Sequence, residues 1–443
     1  MGPVTGRARA DRGRALKGSV RSLLRAVPAA VRRDYAATLL VQWFVLGSGL
    51  FLFHMVAQRG GVDGFAYYQI ARGVVSTFQP LVTLGLSQAL QRYLPRTSSG
   101  TDRLARQAIL IQAGVAGVFA LGGVALSPWL AEFLGIGGGA AAVGAVLIML
   151  TGNCLCTLAA AALRGTHQVA RSNTVSAVGL GLVPVIAFAL ADRIDDFLVL
   201  QGSGMVLVAA WGAVTVRRQR PAPPAPHHGA DPTMRTLLRY GVRRLPGDIA
   251  LPALFTYPTF AVAAVLPGSP EAGYVGFTTS AVTLICSFFG MLTPVLLPRL
   301  SRLFHRSGKD GATLRMLTSL PVSAAGLAAV AAAVFAVFAP LLVRGFLGPE
   351  FAPAVGVLRA GVVAAIPFAM YYAARPTLDA LLEAPVMSRL LLACLALEVL
   401  LTHVTQSVLA PTYAAVVALC GAAAVLGVCS ERLVVRALRT GLS

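Results

Sequence analysis

Charge is scarce in this chain. Asp, Glu, Lys and Arg make up 12% of its 443 residues, against about 25% in soluble proteins. Lysine is nearly missing, with only Lys17 and Lys309 present. Acidic residues number 17 against 37 basic ones, a formal net charge of +20. There is no Walker A loop, no Gly-x-Ser-x-Gly, no His-Glu-x-x-His and no paired carboxylates. Nucleotide-driven and hydrolytic chemistry therefore have no basis in the sequence. His227-His228 lacks a third metal ligand. Cys154-Leu-Cys156 lacks the two-residue gap of a redox or zinc pair, and all six cysteines fall in apolar stretches. They read as small core residues, with no disulfide framework and no iron–sulfur site. No cofactor and no metal are expected.

What is present is apolar. Residues of the hydrophobic classes make up 56% of the chain, and the mean hydropathy is +0.74. A spanning helix needs about 20 such residues. Spans are predicted near 36–57, 64–90, 107–129, 140–163, 172–191, 197–216, 247–266, 272–298, 316–341, 353–374, 389–409 and 412–430. The fold class is an all-α integral membrane protein with about 12 transmembrane helices. An even number of spans puts both termini on one side.

Charge decides which side. All but five of the 37 basic residues lie in the tails and in the loops on the side of the termini. The opposite loops hold Arg59, Arg193 and Arg344, while Arg72 and Arg359 fall within spans. The positive-inside rule makes both termini cytoplasmic. A basic patch for nucleic acid is excluded, because the charge follows topology and is not gathered on one face.

The chain divides into a basic tail (1–35), a six-span half (36–216), a cytoplasmic linker (217–246), a second six-span half (247–430) and a short tail (431–443). Within the first tail, Leu16, Val20, Leu23, Leu24 and Val27 recur at helical spacing opposite Lys17, Arg21 and Arg25. That pattern suits an interfacial helix on an anionic leaflet, or else a solvated basic tail. The linker is basic and proline-rich, as a water-side connector is. Shifting 80–96 by about 210 residues pairs Thr83 with Thr293, Leu86 with Leu296, Arg92 with Arg302 and Arg96 with Arg306. Arg164 meets Arg375 in the same way. Span order and sidedness match as well, so the halves form a parallel pseudo-repeat, an arrangement that binds substrate between halves. Pro246, Pro252 and Pro258 suggest a bent, moving helix directly after the linker. The glycines of the fourth to sixth spans suggest close helix packing.

Ionisable groups inside spans are the informative ones. An arginine or aspartate at a helix centre costs roughly 2.5–3.5 kcal/mol on insertion scales. Arg72 and Arg359 are candidates for a water-filled cationic cavity that holds an anionic head group such as a phosphate. The competing reading has both snorkelling to the outer interface. His54, Gln69 and Tyr68 join the substrate-binding candidates. Glu398 pairs with an arginine, binds a coupling proton or cation, or sits as a hydrogen-bonded protonated acid. Arg164, Arg375 and Asp248 are candidates for a cytoplasmic gate.

Three stretches carry a resemblance. Pro80-Leu-Val-Thr-Leu-Gly-Leu-Ser-Gln-Ala-Leu-Gln-Arg-Tyr-Leu-Pro95, Arg239-Tyr-Gly-Val-Arg-Arg-Leu-Pro-Gly-Asp248 and Leu296-Leu-Pro-Arg-Leu-Ser301 resemble the end of the second helix, the start of the seventh and the end of the eighth in bacterial polysaccharide-biosynthesis flippases. These belong to the multidrug/oligosaccharidyl-lipid/polysaccharide exporter superfamily. One departure is Arg243, where the family usually has Pro. The resemblance implies a V-shaped pair of six-helix bundles and no catalytic activity. It implies a bacterial plasma (inner) membrane and export of a lipid-linked oligosaccharide on an undecaprenyl pyrophosphate carrier, with membrane lipids around it and polymerase or glycosyltransferase partners. It supplies no substrate residues, which rest on burial cost alone. The alternatives are an ion-coupled small-molecule or multidrug antiporter and a membrane enzyme. The latter needs a larger outer loop than the dozen or so residues found here.

Overall fold

In the computed structural model, residues 29–97, 101–133, 139–217, 231–290, 311–381 and 386–440 are described. The Leu296–Ser301 motif, the residues pairing with 80–96 in the repeat, His227-His228 and the tail helix lie outside them. The described residues are helical throughout, with no strand. Among the described residues, eleven helices are long and apolar enough to cross a membrane.

The first of these, α1 (Ala29–Thr83), is two arms. Gly61 takes φ 59° and ψ −163°, a non-helical conformation that costs glycine least. The guanidinium carbon of Arg72 lies 4.3 Å from the Phe53 ring centroid. In a straight helix those residues would be about 28 Å apart along the axis. The chain therefore doubles back at Gly61, which turns eleven helices into the expected twelve crossings.

The second arm stops at Thr83 because Leu84 (φ 49°) and Gly85 (φ 63°) are both left-handed. A short α2 (Leu86–Tyr93) then packs Leu86, Ala89 and Leu90 inward. The first lobe continues with α3 (Thr101–Ala125), α4 (Ser127–Phe133), α5 (Gly139–Gly165), α6 (Val169–Ser176), a π-helical turn (Ala177–Leu182), α7 (Val183–Leu190) and α8 (Ile194–Arg217). The small residues of this region do what their size allows. A Cβ on Gly152 would run into the Gly202 carbonyl, so α5 and α8 touch backbone to backbone.

The second lobe starts earlier than 247. Helix α9 (Met234–Val265) is capped by Thr233, whose hydroxyl accepts the Thr236 N–H at 3.4 Å. Thr233 is a good cap and no proline intervenes before Pro246, so the second part of the expected linker is helix. Pro246, Pro252 and Pro258 all sit inside α9. The lobe is completed by α10 (Glu271–Gly290), α11 (Gly311–Val337), α12 (Ala339–Leu342), a π-helical turn (Val343–Leu347), α13 (Ala354–Gly361), α14 (Ala365–Leu381), α15 (Val386–Thr405) and α16 (Pro411–Thr440). Helix α16 outruns the predicted end at 430 because Val434 and Leu438 bury against Leu317, Ala374 and Leu378.

We call the end carrying the chain termini the basic end and the opposite one the far end. The apolar core shows how the lobes divide. One cluster spans both lobes, joining Phe53, Phe65 and Tyr68 to Phe277 and Phe351. Towards the basic end the core splits into a first-lobe cluster and a separate second-lobe one. Leu237 of α9 belongs to the first-lobe cluster, so the start of α9 straddles the lobes. There α9 crosses α2 at glycine-to-glycine distance. A Cβ on Gly85 would lie 2.7 Å from the Gly241 Cα.

Candidate functional site

The lobes enclose a cavity of about 460 Å³. Its first-lobe wall comes from the two arms of α1. Gln69, Arg72, Ser76 and Gln79 recur at helical spacing on the second arm and face it together. The opposite wall comes from α10, where Gly276, Thr279, Ser280, Thr283 and Ser287 form a similar stripe. Asn153 and Gln201 enter from α5 and α8, and Thr256 and Thr259 from α9.

Among the described residues Arg72 is the one formally charged side chain in this lining. Its Nη1 donates to Gln69 Oε1 at 3.0 Å and to Ser280 Oγ at 3.5 Å. The second bond crosses from one lobe to the other. The guanidinium lies over Phe53 and 5.8 Å from the Tyr68 centroid, so aromatic faces partly offset its charge. Among the described residues no carboxylate comes within ion-pair distance of it. Gln69 Nε2 and Gln201 Oε1 are buried and lack hydrogen-bond partners among the described residues. The cavity thus offers a cation without a carboxylate partner, two unpartnered amide atoms and a row of hydroxyls.

Tyr68 and Gln69 line the cavity with Arg72. Arg359 does not. It is exposed on α13 and its Nε donates to the Ala336 carbonyl at 3.0 Å. The long side chain reaches the end of a neighbouring helix, which corrects its placement in the cavity. His54 is also elsewhere, at the far end, where Nδ1 donates to the Phe346 carbonyl at 2.6 Å. Beside it Gln58 donates to the Leu347 carbonyl at 3.0 Å. Phe346 and Leu347 end the π-helical turn, where helix carbonyls are otherwise unpartnered. The far end is closed across the lobes by these two bonds.

Glu398 is fully buried on α15, away from the cavity. Among the described residues neither carboxyl oxygen has a hydrogen-bond partner and no arginine pairs with it. Arg375 pairs within its own lobe, with Asp379 at 3.5 Å. Asp248 Oδ1 lies 3.7 Å from Arg244 one turn earlier. Arg164, at the end of α5, lines two further cavities at the basic end, of about 910 and 250 Å³. Asp248 lines the smaller one with it. The cavities share walls, since Leu46 and Ser287 line both the central and the larger basic-end one, and Gln42 and Arg164 line both basic-end ones.

Sequence reasoning found Arg72 through its insertion cost but passed over Gln201, Thr256 and Ser280. The signal for α10 was available. Its hydroxyls recur at helical spacing in a span of only modest hydropathy, 1.4.

Two six-crossing lobes around a polar cavity form a fold shared with solved transporters. A multidrug resistance MATE family transporter of the MOP superfamily, in an inward-facing conformation, is similar to this chain, with 12% identity and a TM-score of 0.72 over 92% of this chain and 100% of that one. An outward-facing MATE transporter gives 12% identity and 0.59, over 93% and 96%. The lipid II flippase MurJ, inward closed, gives 13% and 0.65, over 90% and 87%. No curated protein matches the chain in sequence. The profile of the polysaccharide biosynthesis protein family matches residues 31–304, more than half of the length. The chain belongs to that family.

Proposed function

We propose that this protein is a flippase that moves a lipid-linked oligosaccharide, of the undecaprenyl-pyrophosphate type, from the cytoplasmic to the outer leaflet by alternating access. The observation that carries the reading is Arg72, a cation without a carboxylate partner in a polar cavity between two lobes. A buried charge is tolerated where a ligand completes it. An anionic pyrophosphate supplies that counter-charge, and the hydroxyl and amide lining suits a sugar. Family membership supports the glycan. The basic end faces the cytoplasm by its loop charge, in the bacterial inner membrane, with glycosyltransferase or polymerase partners. Glu398 is the candidate for a coupling proton or cation.

A multidrug antiporter is the second reading, motivated by the structural neighbours. It fares worse for organic cations, because among the described residues no Asp or Glu lines the central cavity, and Arg72 repels them. The test is flipping of an undecaprenyl-pyrophosphate-linked glycan in proteoliposomes. Wild-type protein is expected to flip it and Arg72→Ala to lose activity. Equal rates in both, or drug efflux without flipping, would overturn the reading.

A further inference from the structure

Arg164 and Asp248 are an unmatched pair. Arg164 belongs to the first lobe and Asp248 to the second. Both line the same small cavity of about 250 Å³. Arg164 Nε and Asp248 Oδ2 are each buried without a hydrogen-bond partner among the described residues. Yet they stand beyond ion-pair distance of one another. Each unmet polar atom carries a desolvation cost that either a bound ion or mutual contact removes. Arg164 also lines the larger cavity of about 910 Å³, whose walls run on to Gln42 and Leu46 and so towards the chamber of Arg72.

We propose that Arg164 is a second anion-binding station, at the basic end, whose counter-charge alternates between the substrate's phosphate and Asp248. This rests on the head-group reading of the central cavity. While a phosphate occupies Arg164, the guanidinium is held away from Asp248 and the basic end stays open. Passage of the anion to Arg72 frees Arg164, which then pairs with the unused Asp248 oxygen and draws the lobes together. Arg244 does not substitute for Arg164, because it lies on the same helix as Asp248 and already binds the Tyr240 hydroxyl at 3.0 Å. Asp34 also lines the larger cavity, but it is absent from the walls of the smaller one.

Labelling of a cysteine at Gln42, which lines both basic-end cavities, tests this in the full-length protein in detergent. Asp248→Asn and Arg164→Gln are expected to raise the maleimide labelling rate of Gln42→Cys about fivefold without any ligand, the size of a modest coupling. The exchanged pair Arg164→Asp/Asp248→Arg should restore the slow rate, and Asp34→Asn should leave it unchanged. Inorganic pyrophosphate should speed labelling of Gln42→Cys alone and add nothing when Asp248→Asn is also present. Wild-type rates in both single variants, or no rescue by the exchange, overturn the pairing. A pyrophosphate effect of equal size in the presence of Asp248→Asn overturns the competition. Neither outcome touches Arg72, whose role is read separately by flipping.

Discussion

Arg72 and Arg359 are the two basic residues within predicted spans, and they divide sharply in three dimensions. Arg72 faces a polar cavity, and Arg359 is exposed and tied to the Ala336 carbonyl. Arg72→Ala should lower flipping by tenfold or more, since losing a charge-assisted contact costs about 1.5–3 kcal/mol. Arg72→Lys should retain part of it, because a point charge replaces a planar fork. Arg359→Ala should leave transport unchanged in the same assay. Glu398→Gln should preserve expression and folding, since neither oxygen has a partner to lose among the described residues. If Glu398 carries the coupling proton, that variant's flipping should no longer respond to an imposed pH gradient. Insertion cost makes buried charges stand out in a sequence, which is how Arg72 and Glu398 were legible. Cost cannot say which way a helix face points, so Arg359 read the same as Arg72. Ser280 and Gln201 escaped notice because uncharged hydroxyls and amides are common in spans, where they bond back to their own helix.

Among the elements, α1 and α9 set the geometry. Most spans were legible from apolar length alone, since a membrane allows little else. The start of α9 was not. Arg239, Arg243 and Arg244 read as water-side loop, yet the helix begins at Met234. Its Leu237 buries against the first lobe, and the arginines reach Tyr240 or solvent. Arg92 from α2 donates to the same Tyr240 hydroxyl at 3.3 Å. This junction depends on two glycines in contact. Gly85→Ala adds a side chain at a left-handed φ, which costs roughly 1–2 kcal/mol, and drives the new methyl into Gly241. Gly241→Ala keeps its own backbone conformation but meets the Leu84 carbonyl. Both should lower the melting temperature in detergent, Gly85→Ala more. Equal melting of wild type and Gly85→Ala would show that α2 and α9 separate freely.

For the whole molecule, the core already shows the direction of opening. A single apolar cluster binds the lobes at the far end, whereas at the basic end the core divides into two clusters, with the start of α9 bridging the lobes there. His54→Ala with Gln58→Ala removes both cross-lobe bonds at the far end. Each such bond is worth about 1 kcal/mol net. The double variant should therefore shift the population towards far-end-open forms, seen as faster labelling of an introduced cysteine at Phe351. The two-lobed plan was legible in the sequence through span count and alternating loop charge. Which end is shut was not, because that depends on backbone groups meeting across the lobes.

The far-end contact has one further consequence. His54 and Gln58 grip main-chain oxygens, and every amino acid at 346 and 347 provides those. Natural drift or deliberate replacement at these two sites can alter packing but cannot erase the acceptors. Only the donor half of the fastening is open to genetic tuning, so homologues that favour a different resting posture should vary at 54 and 58 while leaving the opposite strip free to wander.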